Sequence, residues 1–593
     1  MKRLMKKSLF LTMALVLIFL NLGNISSAEF AEDADEIKKN DWPIAKGTFI
    51  QKELVRTWDD AKWQSEFRYL KEAGMRYIIL APTAYSANGG PTRTIYPSDH
   101  FTMEEGYPDL VDNILRNAQK AGFKVFLGLN FDGDWWSKSA RDPMWLNAKM
   151  EEGNEVADEL YEKYHNKYKN TFYGWYWVWE VDNLNFQKIE EQKALADAIN
   201  INLRHVKQLN KKMPFMLCPF MNAAVGEPEA YKQMWINVFK TADFRKGDIF
   251  APQDSVGAGG LNMDNFREWF QVLREAVDTE KGLQFWSDAE TFDHSDWSSA
   301  PLDRFVEQLE GVEPYVDNII SFAYSHYYSP NVGKGVYHQT YLDYVKNGVL
   351  ETVPPSTPDD LMAETDYAAA VQLRWAPSQD NIGVIGYKVY RNDVSLTSKL
   401  IQPQAYVDRT AEPETEYTYE VSAVDAAGNE SERSAAQVVM TPPLQENLAK
   451  GKPYTVSEPA HDNYADSQGV ELTDGIRAAT TYADAAWQGR NLDEPYSITV
   501  DLGKSENILG VNAGFLQELP VGIVLPRTVS YYISEDNQNF QKIGVAEKPE
   551  DITEDTQTVE YRIVGLSNMT GRYVKIEIDA AGAWSFIDEL EVR

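Results

Sequence analysis

Between residues 47 and 329 short apolar runs alternate with longer stretches of helical period. The runs cover 47–51, 77–82, 125–130, 173–180, 214–220, 248–256, 283–292 and 318–329, and their length and aromatic or β-branched content predict buried strands. The intervening stretches carry helix signals. Thr57, Asp59 and Asp60 open one that closes at Gly74, and Pro108 opens another that closes at Gly122. Further helices are read at 185–210, 228–241, 262–280 and 302–309. Strands alternating with helices predict right-handed βαβ units and a parallel sheet, and eight such repeats predict a closed (β/α)8 barrel over residues 41–350. An open doubly wound sheet would carry a glycine-rich phosphate loop after its first strand, and Gly47-Thr48-Phe49-Ile50-Gln51 has none.

The pattern changes at Val353-Pro354-Pro355-Ser356-Thr357-Pro358 and again at Thr441-Pro442-Pro443. Proline fixes φ and lacks an N–H, so both stretches read as extended linkers. Between them, over residues 355–443, alternating strands replace helices. Leu373-Arg374-Trp375 and residues 385–390 are two, and 417–425 is a third that runs into the turn Ala427-Gly428-Asn429. This segment resembles a fibronectin type III domain, a β-sandwich in which a tyrosine bonds across a sheet corner. Its expected role is that of a spacer.

Residues 446–593 are again all-β. They open Asn447-Leu448-Ala449-Lys450-Gly451, pass through Leu472-Thr473-Asp474-Gly475 and residues 498–503 and 529–534, and end Phe586-Ile587-Asp588-Glu589-Leu590. This resembles, along its full length, a discoidin domain, the jelly-roll sandwich of coagulation factor type C domains and family 32 carbohydrate-binding modules. The resemblance implies glycan binding and a structural calcium ion (Ca2+). It places Asp474 and Glu589 beside that ion, where hard carboxylate oxygens suit a hard cation. Trp487, Phe515 and Trp584 are candidate glycan contacts.

At the start of the chain Lys2, Arg3, Lys6 and Lys7 precede an apolar run, residues 9–20, and then Ser26, Ser27 and Ala28. That order predicts a secretory signal peptide over 1–28, and so a secreted, extracellular protein with no membrane attachment once it is cleaved. The formal charge of −33 becomes −37 when those four basic residues are removed (−33 − 4), which disfavours nucleic acid and anionic membranes as partners. Cys218, the single cysteine, excludes an internal disulfide and reads as a buried thiol. The seven histidines form no His-Glu-x-x-His, and no Gly-x-Ser-x-Gly occurs, so a zinc hydrolase and a serine esterase lose support and no catalytic cofactor is expected. A monomer is expected.

Active sites of such barrels lie at the C-terminal ends of the strands. The polar residues there are Gln51, Asn130 with Asp132, Glu180 with Asp182 and Asn183, Asn222, Gln253 with Asp254, Asp288 with Glu290, and Tyr324 with His326. Apolar strands that repeatedly end in carboxylates and amides have a functional rationale rather than a packing one. Cleaving a glycosidic bond needs two carboxyl groups, one to protonate the leaving oxygen and one to attack the anomeric carbon or activate water. Residues 175–180, Trp-Tyr-Trp-Val-Trp-Glu, end the fourth run, and residues 286–290, Trp-Ser-Asp-Ala-Glu, end the seventh. Alternation puts Asp288 and Glu290 on one face, with Trp286 deeper on it. The 16 Trp, 32 Tyr and 25 Phe include many rings near strand ends, and flat rings stack on sugar faces. Trp135 and Trp136, in the polar loop after the third run, are the strongest aromatic candidates, with Trp286 a further one.

Glutamates ending strands four and seven resemble the large retaining glycosidase clan, which implies Glu180 as acid/base and Glu290 as nucleophile. That clan carries Asn before the strand-four glutamate and this chain carries Trp179, so an inverting pair of Glu180 with Asp254 or Asp288 stays open. The barrel as a whole resembles a family of secreted bacterial proteins known as domain of unknown function 4434. The matching residues are Gly47–Gln51, Phe172-Tyr173-Gly174-Trp175-Tyr176 with Glu180-Val181-Asp182-Asn183, and Phe322-Ala323-Tyr324. The expected protein is a TIM-barrel glycoside hydrolase acting on a polysaccharide or complex glycan, followed by two β-sandwiches. Its competitors are a non-catalytic glycan-binding or adhesion protein and a polysaccharide lyase.

Overall fold

The computed structural model describes residues 42–593 apart from 369, 467–468, 493, 550–551, 553–554 and 581–582. The segment read as a signal peptide, 1–28, lies outside the described residues. The chain divides into two compact units, one ending at Leu350 and the other spanning Glu351–Arg593.

The first unit is a closed barrel of eight parallel strands in sequential order. They are β1 (Gly47–Ile50), β2 (Tyr77–Leu80), β3 (Lys124–Gly128), β4 (Phe172–Trp177), β5 (Phe215–Leu217), β6 (Ile249–Phe250), β7 (Gln284–Glu290) and β8 (Asn318–Phe322). Each lies within one residue of a run read from the sequence, but most stop short of its polar end. Strand pairing ceases where the chain begins to turn into the loops of the upper mouth. Residues 324–327, read as strand, are a helical turn. The interior is filled by Phe49, Ile79, Phe126, Tyr176, Met216, Ile249, Trp286 and Ile320. Cys218 is buried there too.

Eight main helices surround the barrel: α1 (Asp60–Glu72), α2 (Leu110–Ala121), α3 (Pro143–Leu160), α4 (Ile189–Leu209), α5 (Pro228–Phe239), α6 (Phe266–Val277), α7 (Leu302–Val312) and α8 (Gly335–Asn347). Aspartates cap the first three. Asp59, Asp109 and Asp142 accept from the backbone N–H groups of Lys62, Asp112 and Trp145 at 2.8, 2.9 and 3.0 Å. Gly122 closes α2 at φ 79°, a left-handed cap that a glycine takes without strain. Helices α3 and α8 are additional to those read from the sequence. The inner face of α3 carries Gly153 and Asn154 among its apolar residues, because Asn202 of α4 donates to Met150 O and to Asn154 Oδ1 there, and so the stripe loses its period.

A small sheet, ordered Thr102–Met103, Arg93–Thr94, Ala84–Ser86 and Asn130–Asp132, stands over the upper mouth after β2 and β3.

The second unit is all-β. Residues 362–440 form a three-stranded and a four-stranded sheet around Leu373, Trp375, Tyr387, Val389, Tyr419 and Val421. Tyr417 Oη accepts from Glu412 N–H at 2.9 Å across a sheet corner. Residues 454–592 form a five-stranded and a four-stranded sheet, closed over a core that includes Ile498, Phe515, Tyr531, Ile576 and Leu590. Among the described residues no helix is long and apolar enough to cross a membrane.

Candidate active site

A cavity of about 920 Å³ opens at the C-terminal ends of the barrel strands. Glu180 reaches it from just beyond β4, and Asp288 and Glu290 reach it from the end of β7. The phenolic ring of Tyr176 and the side chains of Phe49 and Phe322 lie beneath. Burial raises the carboxyl pKa of Glu180, against the one hydrogen bond that opposes it, from Gln253 Nε2 to Glu180 Oε2 at 3.0 Å. The Glu180 backbone carbonyl accepts from Trp135 Nε1 at 2.7 Å, which fixes the main chain behind the carboxyl.

Glu290 is held more tightly. Ala258 N–H donates to its Oε2 at 2.6 Å, and its own N–H meets both oxygens of Asp254 at 3.3 Å. Gln308 Nε2 bridges Asp254 Oδ2 at 2.5 Å and the Glu290 carbonyl at 3.1 Å. Gly257 permits this packing, since a Cβ there would stand 2.5 Å from Phe292 O and 2.8 Å from Glu290 Cβ. Burial, with the charge of Asp254 next, pushes the Glu290 carboxyl well above its ordinary range. Asp288 is pushed up in the same way, by burial and then by Glu290 and Asp254, and its Oδ1 is buried with no hydrogen-bond partner. Asp254 is raised by burial to about 6. Four acids are thus packed together with Arg304 as the cation acting on Asp254 and Glu290, and burial with mutual repulsion biases Glu180, Asp288 and Glu290 toward their neutral forms.

Two aromatic walls flank the acids. On one side Tyr85, Phe131 and Trp136 follow one another at ring separations of 6.3 Å, and Trp136 is 57 % exposed. On the other, Phe292 is sandwiched between Trp297 and Tyr327, each at 5.4 Å, and Trp297 is 66 % exposed. Lys52, buried beside the cavity, pairs with Glu104 at 2.5 Å and lies 5.5 Å from the centres of Tyr85 and Tyr107.

Of the residues read as site candidates, Gln51, Trp136, Glu180, Gln253, Asp288 and Glu290 are brought together on this cavity. The others are placed elsewhere. Asp254 turns to the backbone of Glu290 and Val256. Trp135 is buried behind Glu180. Asn130 donates to Lys149 O at 2.8 Å, and Asp132 binds Ser86 and Lys149. Asp182 accepts from the N–H groups of Leu184 and Asn185, while Asn183 and Asn222 clamp two loops together through Asn183 Nδ2 to Asn222 O and Asn222 N to Asn183 Oδ1. His326 Nε2 accepts from Gln51 N–H at 3.2 Å, as a neutral ring whose pKa burial depresses to about 4. Tyr324 bonds the ring of His338 in the protein interior. Trp286 packs at a tilt against Tyr77, with ring centres 5.2 Å apart, and lines a separate cavity at the opposite end of the barrel. The cavity also uses Lys52, Glu53, Phe220 and Ala258, which the strand-end reading passes over. Polarity just past a strand flags Lys52 and Glu53, but nothing local flags Phe220 or Ala258.

In the second unit, Tyr464, Tyr482, Trp584 and Phe586 with Val521 and Ile523 line a small cavity of about 180 Å³. Trp487 and Phe515 are core residues instead, with exposures of 1 % and 0 %. Near Asp474, Glu589 accepts from Gly475 N–H at 3.0 Å through Oε1, whereas its Oε2 is buried without a partner. Burial raises the Glu589 pKa to about 8.

Residues 45–334 match the family described as Domain of unknown function (DUF4434), and residues 454–590 match the F5/8 type C domain. The chain is 42 % identical to Chitinase Chi52 of Paenibacillus xylanexedens over 91 residues, covering 15 % of this chain and 17 % of that protein. It is 31 % identical to Chitinase A1 of Niallia circulans over 167 residues, covering 26 % of this chain and 24 % of that protein. It thus spans about a quarter or less of the length of these curated relatives. Among solved structures, Chitinase ChiA74 from Bacillus thuringiensis aligns over 90 % of this chain and 100 % of its own, at 11 % identity and a TM-score of 0.30.

Proposed function

We propose that the barrel is a glycoside hydrolase acting on a polysaccharide or complex glycan outside the cell, and that the C-terminal domain holds the chain on the same glycan. The observation that carries the reading is the pair Glu180 and Glu290, borne by β4 and β7, on one aromatic-walled cavity. Burial biases Glu180 toward its protonated form, and the Gln253 amide on Oε2 leaves Oε1 to give its proton to the glycosidic oxygen as the C–O bond breaks. Glu290 acts in its carboxylate form, which either bonds the anomeric carbon or takes a proton from the water that attacks it; the Ala258 N–H on Oε2 favours that form, against burial and the charge of Asp254, which favour the neutral one. The exposed rings of Trp136 and Trp297 suit the C–H faces of sugars. Carbohydrate-active relatives, two of them chitinases, agree with the reading.

For the C-terminal domain we propose a Ca2+ site at Asp474 and Glu589. The buried, unpartnered Glu589 Oε2 fits a hard-cation ligand, and the ion would supply the positive charge that the raised carboxyl lacks.

Product analysis by mass spectrometry on a panel of glycans tests the proposal. Hydrolysis by the wild-type chain, reduced at least about a thousandfold in Glu180→Gln and Glu290→Gln with binding retained, is the expected result. Binding without hydrolysis in the wild type would establish a non-catalytic glycan receptor, and an unsaturated, ultraviolet-absorbing product would establish a lyase.

A further inference from the structure

The far end of the barrel holds a second large cavity, of about 950 Å³. Its lining comes from the N-terminal ends of the strands: Lys46 just before β1, Arg76 just before β2, Lys124 at the start of β3 and Gln284 at the start of β7. We propose that Lys46, Arg76 and Lys124, gathered in this cavity with no carboxylate in ion-pairing distance of any of them, form a binding site for a small oxyanion, the phosphate, sulfate or carboxylate group of a ligand.

Three observations carry it. Among the described residues none of the three cations has a carboxylate within ion-pairing distance, in a chain where 90 acidic residues outnumber 57 basic ones. The single acid of the lining, Asp317, is engaged elsewhere, accepting from Phe285 N–H at 2.8 Å with Arg274 Nη1 3.6 Å away. The donors are also held in place. Lys124 Nζ sits 4.3 Å from the centre of the Tyr173 ring and 5.7 Å from that of Tyr77, which orients the ammonium without neutralising it. Gln284 Oε1 accepts from Trp286 Nε1 at 3.1 Å, so its NH2 remains the donor side of the amide.

The ends of α1 and α2 at Gly74 and Gly122 do not balance the cluster. Two helix C-termini bring roughly −1 in all, against three full positive charges. Burial, and Arg76 next to it, lower the Lys46 pKa, and burial lowers that of Arg76 as well. An anion between the two cations would reverse both shifts.

The test is calorimetric titration of the full mature chain at constant ionic strength with sodium phosphate, sodium glucuronate and neutral glucose. Saturable one-to-one binding of phosphate, glucuronate or both, with glucose silent, is expected. Phosphate alone would identify a free inorganic anion, and glucuronate alone an acidic sugar. Affinity should fall at least tenfold in the triple variant Lys46→Gln/Arg76→Gln/Lys124→Gln and remain within twofold in Glu290→Gln, which places the ligand away from the upper mouth. Lys124→Met, which keeps the aliphatic stem on the tyrosines, should fall several-fold by itself if the triple variant does not fold. No saturable binding of either anion, or equal binding by the triple variant or by Lys124→Met, would overturn the proposal.

Discussion

Replacing Asp254 by asparagine isolates the electrostatics beneath the proposed catalytic pair. Asp254 is fully buried and its pKa is raised to about 6, against about 3.9 in an unfolded chain. A raised carboxyl favours the folded state fully below pH ~3.9 and loses that contribution as pH climbs through about 6, which over two pH units amounts to about 3 kcal/mol. Asparagine carries no such pH dependence, and the buried site can accept it. Gln308 Oε1 has no partner, so a flip of its amide would pair it with the new NH2 at the cost of the Nε2 bond to the Glu290 carbonyl, a loss that does not vary with pH, while the asparagine Oδ1 keeps the N–H groups of Glu290 and Val256. Asp254→Asn should therefore gain on the wild type by up to about 3 kcal/mol between pH 4 and pH 7, whatever constant offset the altered hydrogen bonds impose. Urea unfolding followed through barrel tryptophan fluorescence at intervals between these pH values measures the difference. The same change removes a negative charge that raises the Glu290 pKa, so the acidic limb of the activity profile should move to lower pH. A stability difference that stays constant across the range, or a limb that does not move, would refute the reasoning.

Trp136→Ala and Trp297→Ala should weaken glycan affinity by about 0.5–1.5 kcal/mol each, read as a rise in KM, and leave the melting temperature unchanged because both rings are largely exposed. Calcium should raise the melting temperature of the C-terminal domain, more strongly at pH 9 than at pH 7, since Glu589 must shed a proton that it holds up to about 8, and Glu589→Gln should abolish the effect in calorimetry. Tyr417→Phe should cost the three-plus-four sandwich about 1–2 kcal/mol in denaturant titration by orphaning the Glu412 N–H.

The barrel is legible in the sequence because each strand is an apolar run set off by a capped helix, and closure follows from counting the repeats. Element ends are less so. Residues that terminate a strand also turn the chain, and a short polar side chain serves either purpose. Asp182, Asn183, Asn222 and Asn130 therefore look like ligands in sequence and act as loop fasteners in the structure. Glu180, Asp288 and Glu290 share the same signal and do reach the cavity, and nothing local separates the two groups. The wall bearing Tyr85 is hidden for another reason. Its sheet is built from strands of two or three residues, too short to show a period. Helix α3 escapes because its inner face meets its neighbours through amides rather than apolar side chains.

The bare backbone at Gly257 has a wider consequence. Even a methyl group there would collide with Glu290, so the strip from Asp254 to Ala258 is cast around one carboxylate and tolerates almost no redesign. The rings of Trp136 and Trp297 sit on outer loops with open space above them. If the proposed activity holds, new preferences among sugars would have to be written around those exposed rings, because the floor beneath them leaves no room for change.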